Sequence, residues 1–161
     1  MEKLYLFPGS VFVSKLPHIV DTVLGSCIAV TLYDPVLKFG CINHFMLPNW
    51  NGEGAASNKY GDIAIPYLIK KMIELGSNRT DLKAKVFGGS EIGQSNGFFK
   101  IGASNMAIAF EILKKEKIQV VSHSVGGNLS RKVVFYSNNG EVLIRLIKGG
   151  ISEVPIIKPK P

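Results

Sequence analysis

Asp21-Thr22-Val23-Leu24-Gly25-Ser26-Cys27-Ile28-Ala29-Val30, returning after a turn as Gly40-Cys41-Ile42-Asn43-His44-Phe45-Met46-Leu47-Pro48, carries most of the information in this chain. Ile28 to Tyr33 is a β-branched and apolar run, Asp34-Pro35 supplies turn chemistry, and Phe39 to Leu47 is a second apolar run, so the middle reads as a β-hairpin. Folded about residue 36, the numbers of opposed positions sum to about 72, which sets Cys27 opposite His44 or its neighbour Phe45; directly opposed Cβ atoms lie roughly 4.5–5.5 Å apart. Either residue alone reads as packing, since free cysteines are commonly buried as small hydrophobes. Together, with a Gly25-Ser26 step ending the strand before Cys27, they read as a nucleophile and its base. A histidine partner is expected to lower the thiol from its usual pKa of about 8.5. Gly25 is expected to allow an unusual turn and to clear space for a substrate, and the N–H groups around Gly25-Ser26-Cys27 are candidates for an oxyanion hole.

Working outward, residues 1–7 and 10–14 are short strand candidates about Pro8-Gly9, and His18 to Leu24 is a strand leading into the Gly25-Ser26 bend. His18, behind Pro17, belongs to a surface loop. Pro48 to Asn58 is a polar loop next to His44, with Trp50 as its packing anchor or as a wall of the site. Ile63 to Leu75 reads as a helix with Asp62 as N-cap, Pro66 in the first turn and Gly76 at the stop. Lys83 to Phe87 is a strand that Gly88-Gly89-Ser90 breaks, letting a backbone or ligand come close. Ala103 to Lys115 is an amphipathic helix with Met106, Ala109, Phe110 and Leu113 on one face. Ile118 to Ser124 is a strand, and Lys132–Tyr136 with Val142–Ile147 close a hairpin around Asn139-Gly140. Several strands are apolar on both parities, which requires cover on both faces. The expected fold is α/β (α+β): a layered sandwich whose mixed, largely antiparallel β-sheet core is covered by helices. Residues 1–147 form the one domain and 148–161 a loose tail.

Composition narrows the function. The 161 residues are 46% hydrophobic and 19% charged, as in soluble globular chains, and no apolar run reaches the ~18 residues of a membrane span. The start has no basic-then-apolar signal pattern, so a cytoplasmic location is expected. Two cysteines, Cys27 and Cys41, are out of opposition in the hairpin and are expected to be reduced thiols. His18, His44 and His123 are scattered and no CxxC is present, so no metal site is expected. The net charge of +7 comes from dispersed lysines with no aromatic-interleaved stripe, which argues against nucleic acid. The Gly88-Gly89-Ser90 turn has no Lys-Ser/Thr pair at phosphate-loop spacing, and no nucleotide is expected.

Leu24-Gly25-Ser26-Cys27, Asp34-Pro35, Gly40 and His44-x-Met46-Leu47-Pro48, followed by Tyr60-Gly61-Asp62-x-Ala64, Phe87-Gly88-Gly89, Ile101-Gly102-x-x-Asn105 and Gly126-Gly127-Asn128-x-x-Arg131, resemble the CheD chemoreceptor glutamine deamidases of bacterial chemotaxis. The resemblance runs from about residue 5 to 147 in order and spacing. It implies hydrolysis of receptor glutamines to glutamate through a Cys27 thioester, with His44 as acid and base, no cofactor, chemoreceptor cytoplasmic domains as substrate and a CheC-type phosphatase as partner. An adaptor acting mainly on that phosphatase is the alternative, and a monomer is expected. The family also places a threonine before the cysteine to orient the histidine. At the matching position this chain has Asp21, with Thr22 one residue later, and the two point to opposite faces of a strand. Either Thr22 serves through a bulge or Asp21 takes the orienting role. Ser26 reads as an oxyanion contributor, and Asn105, Asn128 and Arg131 as supports of the fold.

Overall fold

A computed structural model describes residues 1–92, 100–148, 152–153 and 159–161. The strands are β1 (Glu2–Tyr5), β2 (Val11–Ser14), β3 (His18–Leu24), β4 (Ile28–Asp34), β5 (Phe39–Asn43), β6 (Lys83–Gly88), β7 (Gln119–Val125), β8 (Ser130–Tyr136), β9 (Val142–Lys148) and β10 (Ser152–Glu153), and the helices α1 (Gly61–Glu74) and α2 (Ile101–Lys115). They make two five-stranded sheets, ordered β1-β3-β8-β9-β10 and β2-β5-β4-β6-β7. Among these strands, β1–β3 and β6–β7 pair in parallel and the other neighbours antiparallel. The arrangement is an α+β sandwich.

The double apolar parity of β4 is explained by two cores. Ile28, Val30 and Leu32 face α1 and α2, packing with Phe45, Leu68 and Leu113. Ala29 points the other way, into a cluster with Val20, Leu24, Ile42, Phe87, Phe135 and Ile144 between the sheets. The second layer covering β4 is therefore a sheet, where the sequence suggested helices. Local pattern records that a face is covered, not by what.

Helix α1 begins at Gly61, ahead of the expected start at Ile63, with Tyr60 as its N-cap and no side-chain cap. Asp62 sits in the first turn and its Oδ1 accepts the Trp50 N–H, so it ties down the 48–58 loop instead of capping the helix. Pro66 consequently lies inside the helix. Of the 148–161 segment, expected to be a loose tail, residues 149–151 and 154–158 lie outside the described residues, while Ser152–Glu153 pairs with β9 and Lys160 with His123 of β7. Among the described residues no helix is long and apolar enough to cross a membrane.

Candidate active site

The hairpin β4–β5 forms, one residue away from the expected register. Thr31 pairs with Ile42 and Ile28 with Phe45, so continuing the ladder sets Cys27 opposite Met46 and His44 opposite Ala29. Cys27 and His44 are diagonal neighbours and not a directly opposed pair, and no hydrogen bond joins the thiol to the imidazole. Both belong to the inter-sheet side: Cys27 packs against the Ala29 cluster, and His44 meets β3 of the other sheet.

That meeting is a hydrogen bond. Thr22 Oγ1 lies 2.7 Å from His44 Nδ1 and donates to the Leu6 carbonyl at 2.7 Å. A carbonyl only accepts, so the single hydroxyl proton of Thr22 goes to Leu6. Nδ1 must then carry the imidazole proton and donate to Thr22, which leaves Nε2 as a bare lone pair. Nε2 is buried and has no hydrogen-bond partner among the described residues. Thr22 reaches this position without a bulge, because β3 pairs regularly with β8 from Ile19 to Leu24. Asp21 points to the outer face, 3.7 Å from Lys132 Nζ. Asn43, next to the histidine, faces the helices and accepts the Val30 N–H with its own Oδ1.

Burial decides the protonation states. It holds the His44 pKa down to about 4, against a smaller upward pull from the Leu6 carbonyl. It also pushes the partly buried Cys27 thiol up from its ordinary value, contrary to the lowering expected from a histidine partner. A buried neutral imidazole offers no charge to stabilise a thiolate, and desolvation disfavours both ions. The resting pair is thiol plus imidazole. Cys41, wholly buried, is raised further still.

The Cys27 turn is gripped by its carbonyls. Ser90 N–H donates to Gly25 O at 3.0 Å and Gly89 N–H to Cys27 O at 2.9 Å. Asn105 Nδ2 donates to Ser26 O at 2.9 Å. Among the described residues the N–H groups of Ser26 and Cys27 find no acceptor, so two amides are available to a developing negative charge. Gly88 makes this possible: its φ is +104° and a Cβ there would collide with the Cys27 carbonyl. The backbone that approaches the Gly88-Gly89 break is that of the cysteine turn. Gly25 itself is outside the left-handed region, and a Cβ on it would meet Ile92 Cδ1 at 3.1 Å. Arg131, almost fully buried, donates to Ser90 Oγ at 2.6 Å, Gly126 O at 2.8 Å and Ser124 Oγ at 3.0 Å, and so braces the 88–90 loop from below. Asn128 is exposed.

The Leu6 carbonyl gave no signal in the sequence, because any residue supplies one. Nor did the sequence show that Ser90 and Arg131 act together, since only the β8–β3 pairing and the 88–90 turn bring them into contact.

Known proteins match this chain across the same stretches. A family described as CheD chemotactic sensory transduction matches residues 46–146, downstream of Thr22, Cys27 and His44. Curated relatives extend the match over the site. A probable chemoreceptor glutamine deamidase CheD of Sulfurimonas denitrificans is 41% identical over 150 residues, 91% of this chain and 96% of its own. One of the same description from Trichlorobacter lovleyi is 41% identical over 145 residues, covering 89% and 90%. With a free thiol and an oriented imidazole on one face, and a match of that extent, the chain belongs to the CheD family.

Proposed function

We propose that this protein deamidates selected glutamine side chains of chemoreceptors to glutamate, with Cys27 as the nucleophile, His44 as the base and acid, and Thr22 orienting the imidazole. The observation that carries the reading is the Leu6–Thr22–His44 hydrogen-bond chain, which leaves Nε2 of a neutral imidazole free on the face that bears the thiol. In this scheme Nε2 takes the thiol proton as Sγ bonds to the carboxamide carbon. The electron pair of the C=O bond moves to oxygen, where the Cys27 and Ser26 amides receive it. The imidazolium then gives its proton to nitrogen, the C–N bond breaks, and ammonia leaves a thioester. Water attacks that thioester with its proton passing to Nε2, and the thiol departs with the proton returned. The scheme uses no cofactor.

Support comes from the names of the relatives, which describe chemoreceptor glutamine deamidases. Action on receptor cytoplasmic domains implies a cytoplasmic protein, and we carry forward from the resemblance a monomer that also associates with a CheC-type phosphatase. The test is mass spectrometry of a receptor cytoplasmic fragment incubated with wild type and with Cys27→Ala. Specific glutamines should appear as glutamate with the wild type only. Unchanged glutamines with folded wild type, alongside binding to a CheC-type phosphatase, would replace the enzyme reading with the adaptor one.

A further inference from the structure

The nucleophile and its base arrive on different stretches of backbone, and one side chain joins them. Asn105 lies one turn into α2, fully buried, and its Nδ2 donates to Ser26 O at 2.9 Å and to Met46 O at 3.0 Å. Ser26 O belongs to the peptide bond that carries the Cys27 N–H. That bond is planar and trans, so its carbonyl and its N–H point in opposite directions. Pinning the carbonyl toward α2 therefore turns the Cys27 N–H away from α2, to the side where it meets no acceptor among the described residues. The second bond holds Met46, two residues after His44 and opposite Cys27 in the extended ladder. Asn105 Oδ1 is buried and has no hydrogen-bond partner among the described residues. An unmet buried acceptor costs stability that an apolar residue of similar size would not, so packing alone does not account for an asparagine here.

We infer that Asn105 is a positioning residue, a bracket that aims the Cys27 amide at the developing oxyanion and fixes the nucleophile turn against the histidine strand. The inference rests on Cys27 being the nucleophile and goes beyond it by assigning the orientation of the amide to one side chain.

A pair of reagents that differ in one respect tests this without any receptor. With p-nitrophenyl acetate, Sγ bonds to the acyl carbon, p-nitrophenolate leaves and the thiol proton passes to His44; the path runs through an oxyanion. With iodoacetamide, Sγ displaces iodide at a saturated carbon and no oxyanion forms. Asn105→Ala is expected to slow acylation of Cys27 by ~10²-fold, as loss of a well-aimed oxyanion donor does, while alkylation at the same pH changes by less than about threefold. Asn105→Ser carries the same comparison if the alanine variant does not fold. A general loosening of the structure moves both rates together, and that result, or no change in either, overturns the role of Asn105. If wild-type Cys27 is not acylated at all while it is alkylated, the nucleophile reading falls first and takes this one with it. If wild type is acylated and the Asn105 variants match it, only the bracket is lost.

Discussion

Thr22 and Asp21 are adjacent, yet the fold gives them opposite tasks. Replacing Thr22 by Val removes the hydroxyl between Leu6 O and Nδ1 and releases the imidazole; deamidation is expected to fall by ~10²-fold, the scale at which small misplacements act, and Thr22→Ser should recover most of it. Asp21→Ala breaks only a partly exposed pair with Lys132, so activity should persist with a stability change of about 0–1 kcal/mol. Receptor deamidation rates and urea melts of the three variants check this. His44 yields a pH prediction. Its folded pKa is near 4, against 6.5 for a free histidine. The neutral base therefore survives into acid, and the acid limb of kcat/KM should fall near pH 4 and not near 6.5. The stability sign follows the same shift. Between pH 6.5 and 4 the unfolded chain takes up a proton that the folded one refuses, so stability is lost as pH falls through that window, by roughly 3 kcal/mol once it is crossed. Denaturant melts at pH 7 and pH 4 should show this loss in wild type and a smaller one in His44→Gln. Cys27, His44 and the choice between Thr22 and Asp21 were legible in the sequence as candidates. Which of the two meets the histidine was not, because it turns on the pairing of β3 with β8, whose residues lie more than a hundred positions downstream.

Elements were read well where their signals are local. The β4–β5 hairpin, the Asn139-Gly140 turn and both helices appear close to their expected places. The errors came from boundaries. Starting α1 at Ile63 put Pro66 in the first turn, whereas the Leu47 carbonyl accepts the Gly61 N–H and draws the helix two residues earlier. The hairpin register slipped by one residue because Asp34 pairs with Phe39 across a turn of Pro35 to Lys38, with Lys38 at φ 59°, which centres the hairpin between residues 36 and 37. The end of β6 carries a prediction of its own. Gly88→Ala forces a side chain into the left-handed region and against the Cys27 carbonyl. Thermal melts should show a loss of about 1–3 kcal/mol. Deamidation should fall further than that loss explains, because the displaced atom belongs to the turn of the proposed nucleophile.

At the scale of the molecule, the candidate triad straddles a seam. Thr22 comes from one sheet, Cys27 and His44 from the strands and turns of the other, and the inter-sheet cluster sets their separation. Two large core truncations should therefore differ. Phe135→Ala, between the sheets, and Leu68→Ala, under α1, are each expected to cost on the order of 3–5 kcal/mol. At a temperature where both variants remain folded, the Phe135 variant should lose more deamidation activity. Adding Thr22→Val should then cost little more in the Phe135→Ala background, while keeping its full effect beside Leu68→Ala. Rates of the two double variants check this. The pairing of two sheets was the least legible feature, since strand alternation shows that a face is covered without naming the element that covers it.

The protonated resting state of Cys27 has a consequence beyond turnover. Peroxide and disulfides react with thiolates, and a thiol kept whole by burial is a poor target for either. Cys41, wholly enclosed, is poorer still. Cys27 is therefore expected to be oxidised slowly by peroxide at neutral pH, and the mass of the intact protein before and after peroxide treatment checks this.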